Sequence, residues 1–297
     1  MRPALLILGL LAMPTSQAQS PKEKFIRYGL LLDQALTLSD AGQHENAVPV
    51  FDSAFALVPF MANDHVPAIL NALAAGRDDR ANDLLIQGTE NGLVIARHYH
   101  QQLQEFLRSE RAMPFLNLQE YMHDRWLAHA DTAMIRALDE VGGGSRMVVN
   151  EQGALHMEFD STAIDRLIGL VQVHGVPMAA AVGDRIHAIT NTCMDFAGDF
   201  PDGPKWRQLL PWLRSAMDRG RVPPDLLAAV QDRADMLHHR PMTYGELISK
   251  YADAPDHFEM LGKIQVDEAR KAVGLGPLDH LLQRWSVDPG RVHFSKE

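Results

Sequence analysis

Cysteine is almost absent. Cys193 is the single one in 297 residues, so no internal disulfide can form and the fold must rest on its packed core even in an oxidising compartment. Positive charge is also in short supply, with 28 Lys and Arg against 38 Asp and Glu and a formal net charge of -10. That balance argues against nonspecific nucleic-acid binding, which draws its affinity from cationic contacts to phosphate, and it disfavours an anionic membrane surface. Beyond the N-terminal run no segment is long and apolar enough to span a bilayer, so no membrane insertion is expected once that run is removed. The familiar catalytic signatures are missing too. There is no HExxH or paired Cys/His spacing, no Gly-rich phosphate loop, no Gly-x-Ser-x-Gly elbow and no dinucleotide fingerprint, and no cofactor is expected.

What is present begins with an export signal. Met1-Arg2 gives a short positive start, Ala4 to Ala12 is apolar, and Ser16-Gln17-Ala18 places small residues at the two positions a signal peptidase reads. The expectation is a signal peptide over residues 1–18 and an exported protein, periplasmic or secreted. With 46% hydrophobic residues the mature chain can build its core without covalent staples.

Residues then repeat at a spacing of 34. Ala35 and Ile69, Gly42 and Gly76, Ala47 and Ala81, Phe51 and Leu85, and Ala54 and Gly88 fall in register. This period and the alternation of small and large apolar residues resemble the tetratricopeptide repeat, in which small residues let two antiparallel helices approach closely. The resemblance covers residues 28–95, with Pro59 closing the first unit and a looser second unit. The alternative is a generic pair of helical hairpins. Two units are fewer than such arrays usually need, so a cap is expected from Leu93–Arg108, where Ile95, Tyr99, Leu103 and Phe106 stand at helical spacing. A module over 19–112 and a second domain over 113–297 follow, with the boundary near Pro114.

The second domain reads as helical. Leu118, Tyr121, Met122, Trp126, Ala130, Met134, Leu138 and Val141 predict one long helix ended by Gly142-Gly143-Gly144. A small β-hairpin is expected near 147–159, and it is the only strand pair the pattern suggests. Helical stripes resume at Ile164–Val171, Val182–Phe196, Trp206–Leu213 and Leu227–Leu237, with Pro211 requiring a break or kink. Tyr244–Ala252, Phe258–Val273 and Leu278–Trp285 complete the helical reading. The fold class is therefore all-α, with N-terminal hairpins and a C-terminal helical domain.

The order Asp124-Arg125, Asp160, His174-Gly175-Val176-Pro177, Val182-Gly183, Asp232-Arg233, Tyr244-Gly245 and Val266–Leu275 resembles an uncharacterised bacterial helical family, a domain of unknown function found in exported proteins. The resemblance spans about 118–280 and implies an architecture but no reaction. Members of that family carry a His near the end of the fourth helical segment and Gln residues flanking the Tyr-Gly pair. Here Cys193 or Met194 and then Met242 and Leu247 stand there, so any chemistry those polar residues perform in relatives is in doubt.

Two classes of site are open. Glu120, His123 and Asp124 would meet on one helix face, and Asp184 and His187 on another, as halves of a carboxylate–imidazole metal site; the alternative is a solvated helix face, and no metal is expected. Asp195, Asp232, Arg233 and Arg270 suit either a buried Asp–Arg pair linking helices or a site for an anionic or polar small molecule, and with Asp124, Arg125 and Tyr244 they form the candidate binding set. Cys193, between Ile189 and Phe196, reads as a buried thiol and not a nucleophile. The leading expectation is an exported protein-binding or scaffolding protein that holds a peptide or protein in the groove of its repeats; the alternative is an envelope hydrolase with a polar site in the second domain.

Overall fold

The computed structural model describes residues 19–142, 145–149, 155–248 and 258–295. The expected signal peptide, the glycines 143–144, the tip of the β-hairpin and residues 249–252 of the expected Tyr244 helix lie outside them. The described chain is all-α with two small sheets.

Helix α1 (Pro21–Asp40) starts at a capping box, in which the Ser20 hydroxyl accepts from Glu23 N and the Glu23 carboxylate accepts from Ser20 N. It pairs with α2 (His44–Leu57), and α3 (His65–Ala74) pairs with α4 (Asp78–Glu90). The two hairpins close alike. Gln43 N donates to Leu38 O and Gly42 N to Ser39 O; 34 residues later Arg77 N donates to Ala72 O and Gly76 N to Leu73 O. Both glycines have positive φ, 72° and 69°, as this helix-ending motif demands. All the other paired positions are buried, with Ala47, Ala54 and Ala81 letting the helices close on Phe51 and Leu85.

The expected capping helix is two pieces. A 3-10 turn at Ile95–Arg97 precedes α5 (Gln101–Leu107); Ile95, Leu103 and Phe106 are buried, whereas Tyr99 lies in the connection and is 88% exposed. Next come α6 (Met113–Leu116), α7 (Gln119–Leu127) and α8 (Thr132–Val141). The single long helix expected here is broken because Asp131 caps a new one, its carboxylate accepting from Met134 N at 2.9 Å while its own N–H bonds Ala181 O. Leu118 and Tyr121 are consequently exposed, and only Trp126, Met134, Leu138 and Val141 of that stripe are buried.

Strands β1 (Ser145–Val149) and β2 (Leu155–Phe159) form the expected antiparallel hairpin. Then follow α9 (Ala163–His174), α10 (Ala179–Val182), α11 (His187–Asp195), α12 (Pro204–Asp218), the 3-10 turn Pro224–Leu227 and α13 (Ala228–Leu237). Helix α12 continues through Pro211, where the break was expected. Pro211 is exposed, so water can satisfy the carbonyl it leaves unbonded. A second sheet was not expected. Phe258–Met260, read from the sequence as helix, is β3, and it pairs in parallel with β4 (Val292–Phe294) across α14 (Lys263–Ala272) and α15 (Leu278–Arg284).

One apolar cluster gathers buried residues from Phe25 to Ala234, and a smaller cluster gathers Met242, Ile248, Met260, Val266 and Leu278. Helix α1 joins the two ends of the chain. Its Asp33 accepts from Arg284 Nη2 (3.0 Å) and pairs with His280 Nδ1 (2.6 Å), and Lys22 bridges Asp218. Gly29 lies directly against the backbone of Gly274, and a methyl there would overlap the Gly274 carbonyl oxygen. Gly29→Ala therefore forces α1 away from the end of α14. We expect a loss of about 2 kcal/mol in chemical denaturation; an unchanged midpoint would mean that the two ends are not packed together in solution.

Candidate functional site

The site is built around a loop. Helix α13 ends at Leu237, Arg240-Pro241 breaks the chain away, and Thr243–Glu246 folds back over the helix. Asp232, fully buried in α13, holds it there: Oδ1 accepts from Thr243 N (3.0 Å) and Tyr244 N (2.7 Å), and Oδ2 from Glu246 N (2.6 Å). Gly245 has φ of 76°, the turn that lets the N–H groups on either side of it converge on one carboxylate. Burial and the nearby Glu246 and Asp235 charges raise the Asp232 carboxyl to about 7, against the pull of those N–H groups. Asp235, one turn on, accepts from Thr243 Oγ1 and pairs with Arg240.

Arg270 of α14, 2% exposed, holds the same loop. Its guanidinium donates to the carbonyls of Tyr244 and Gly276 and to Glu246 Oε1 at 2.9 Å. Asp232 and Arg270 do not bond each other; each is satisfied by the loop, one through its N–H groups and the other through a carbonyl and a carboxylate.

The loop delivers Glu246 to a cavity of about 180 Å³ lined by Met61, His187, Thr190, Asp225 and Leu226 among others. Beside it a smaller pocket shares Met61, Ile186 and His187 and adds Asp64 and Asn63 from the connection between the two N-terminal hairpins. The Tyr28 hydroxyl donates to Asp64 Oδ2 at 2.6 Å. Three carboxyl groups from widely separated segments thus line one junction. Burial foremost, then the charges of Glu246 and Asp64, pushes Asp225 up to about 7, so it is largely protonated at mildly acid pH. Burial likewise raises Asp64, opposed by the Tyr28 hydrogen bond and by His187, and keeps the Tyr28 phenol protonated. The Asn63 side-chain oxygen is buried with no hydrogen-bond partner. Among the described residues no group of three or more His, Cys, Asp or Glu side chains is arranged to hold a metal ion.

The remaining candidates scatter. Glu120 and Asp124 are exposed, and His123 lies beside the Trp126 ring. Arg125 pairs with Glu90 at 2.7 Å. Asp184 is bound by Arg97 (3.0 Å) and Arg185 (2.8 Å), so it makes no half-site with His187, which faces the cavity instead. Asp195 is exposed and Arg233 partly buried, and neither is without a partner. Cys193 is fully buried, which pushes its thiol well above the usual range. Of the candidate set, Asp232, Tyr244 and Arg270 come together with Glu246, while Asp64, Asp225 and Tyr28 were not anticipated. The Pro223-Pro224 pair before Asp225 marks a rigid turn, the one local signal that could have pointed to it. No protein-family model matches the chain, and neither a curated protein nor a solved structure is detectably similar to it.

Two outcomes follow. An acid with a value near 7 folded and 3.8 ordinarily binds more protons folded than unfolded between those values; its stabilising contribution is complete at the acid end and is lost as pH rises through 7. Asp225→Asn should accordingly match the wild type near pH 4 and exceed its stability by roughly 2 kcal/mol at pH 8, as followed by urea denaturation across pH. Asp232→Ala leaves three N–H donors without an acceptor. It should cost about 3 kcal/mol and expose the amides of Thr243, Tyr244 and Glu246 to hydrogen exchange.

Proposed function

We propose that the protein is an exported acid–base enzyme, a hydrolase of a small neutral or cationic substrate, working where the N-terminal hairpins meet the C-terminal helices. The observation that carries this reading is the contrast between two neighbouring carboxyl groups: Asp225, raised to about 7, and Glu246, ion-paired to Arg270. A buried carboxyl that keeps its proton can donate it, and a carboxylate held beside it by a guanidinium can accept one. Asp225 donates its proton to the leaving group, and Glu246 takes a proton from the attacking water. The Arg270 charge is taken up by Glu246 and two carbonyls, and the described lining of the cavity carries two carboxyl groups and no Lys or Arg to meet an anionic substrate. The N-terminal sequence supports export, and the matched closures of the two hairpins support the likeness to tetratricopeptide repeats.

A second reading, a scaffold binding a protein or peptide through the hairpins, has one observation in its favour. Met113, Leu116, Leu118, Tyr121 and Leu127 expose apolar side chains along α6 and α7 beside the hairpins. Against it, α1 is packed against the C-terminal helices, so that side of the hairpins is covered by the chain itself.

The test is turnover of a panel of chromogenic esters, amides and glycosides by residues 19–297, with Asp225→Asn and Glu246→Gln as controls. Each variant should lose about 100-fold or more of the activity while keeping the helical spectrum and a cooperative melt. Wild-type protein inert toward the whole panel, or variants as active as the wild type, would overturn the enzyme reading. The scaffold would gain from an identified envelope partner whose binding Leu118→Glu and Tyr121→Glu abolish and the cavity variants leave intact.

A further inference from the structure

A second cavity, of about 240 Å³, adjoins the other end of the same loop, and its chemistry is the inverse of the first. The 3-10 turn Pro224–Leu227 and the loop Thr243–Glu246 contribute to both: Asp225 and Glu246 line the acidic cavity, whereas Pro224, Leu227 and Tyr244 line this one. No carboxylate is among its described lining residues. Its cations are Lys22, from the first turn of α1, and Arg214, from α12. Lys22 already has a partner in Asp218 at 2.8 Å. Arg214 is exposed and has none among the described residues.

The body of the cavity is apolar, with Phe200, Met217, Leu227 and Val273 in its walls. Among these walls Tyr244 is partly buried, and its hydroxyl has no hydrogen-bond partner among the described residues. Burial and the charges of Asp232 and Asp235 raise that phenol, so it remains a donor at neutral pH. Its backbone is the segment pinned by Asp232 and Arg270, and the ring is therefore held in place from behind.

We infer that this cavity is a binding site for a small carboxylate with a compact apolar body, an aryl or branched-alkyl acid. The guanidinium of Arg214 forms a two-pronged bond to the carboxylate, Lys22 adds charge, Tyr244 donates a hydrogen bond, and the apolar body fills the space between Phe200 and Leu227. The volume suits roughly ten non-hydrogen atoms, which is too tight for a peptide, and apolar walls disfavour a fully hydrated anion such as phosphate.

The experiment titrates the mature chain with phenylacetate, following heat of binding and thermal shift, with phenylacetamide, phenethylamine and inorganic phosphate as comparators. Phenylacetate should bind in the millimolar range or tighter, and each comparator about tenfold more weakly or not at all. Arg214→Gln, at an exposed position, should weaken phenylacetate about tenfold, and Tyr244→Phe, which removes only the hydroxyl, several-fold. Thr190→Ala, in the other cavity and outside the loop, should leave binding unchanged, so this site stands or falls independently of the acid–base reading. No binding up to about 10 mM phenylacetate, equal binding of the amide, or binding indifferent to Arg214→Gln would overturn the inference.

Discussion

The carboxylate of Asp232 is the constraint on which the C-terminal half depends. A buried acid is costly unless its lone pairs are met, and here they are met by the backbone of a four-residue loop and not by a cation. The arrangement fixes chain direction as well as position. Three N–H groups can point at one carboxylate only if the loop turns at Gly245, and that turn sets Tyr244 and Glu246 toward different cavities. Arg270 completes the hold from α14, and in doing so it ties the small second core to the large one. A buried ion pair between Asp232 and Arg270 would have joined two helices and left the loop free. Splitting the two charges across the loop instead makes a segment of irregular backbone into a rigid platform.

The N-terminal hairpins are bound into the same body. A pair of hairpins has apolar faces at both ends of the stack and needs something to cover them. At one end α5 and α6 do so, with Leu103, Phe106 and Phe115 buried against the hairpins. Along α1 the cover is the C-terminus of the chain, through Asp33, His280 and Arg284 and the glycine contact at Gly29. A surface that solenoid proteins commonly leave open for partners is here used to close the fold. The connection between hairpins, Met61–Asp64, thereby meets Gly183–His187, and Asp64 lines the small pocket between them while Met61 reaches the cavity at the Pro224 turn.

How much of this was legible in the sequence depended on how local the signal was. The 34-residue spacing placed both hairpin turns because the glycines, the alanines and the phenylalanine–leucine position all act within one unit. The apolar stripe of 118–141 missed a break because Asp131 caps α8 with a side chain that periodicity ignores, and because Leu118 and Tyr121 belong to an exposed face. Strand β3 was missed for a different reason: its partner lies some thirty residues further on, and a three-residue strand carries no period of its own. Among the site residues, Asp232, Tyr244 and Arg270 stood out by their order along the chain, and they are the framework. The groups they position were invisible, because Asp64, Asp225 and Glu246 meet only after the two halves have packed.

A structural role for that meeting of acids is the harder one to sustain. Asp64 and Asp225 lie near each other and near Glu246, and Arg270 is bonded to Glu246. Like charges brought together under partial burial raise one another and reduce the stability of the folded state above the pH at which they ionise. Neutral side chains of similar size would fill the same space at less cost, as they often do where buried charges are replaced. By contrast, the Asp232 carboxylate has a clear structural function, because every donor it meets is needed to shape the loop. Asp225 accepts no comparable set of bonds, and its position at the start of a rigid turn aims it at open volume. A raised acid lining a cavity beside an ion-paired carboxylate is the feature on which the proposed acid–base reading rests.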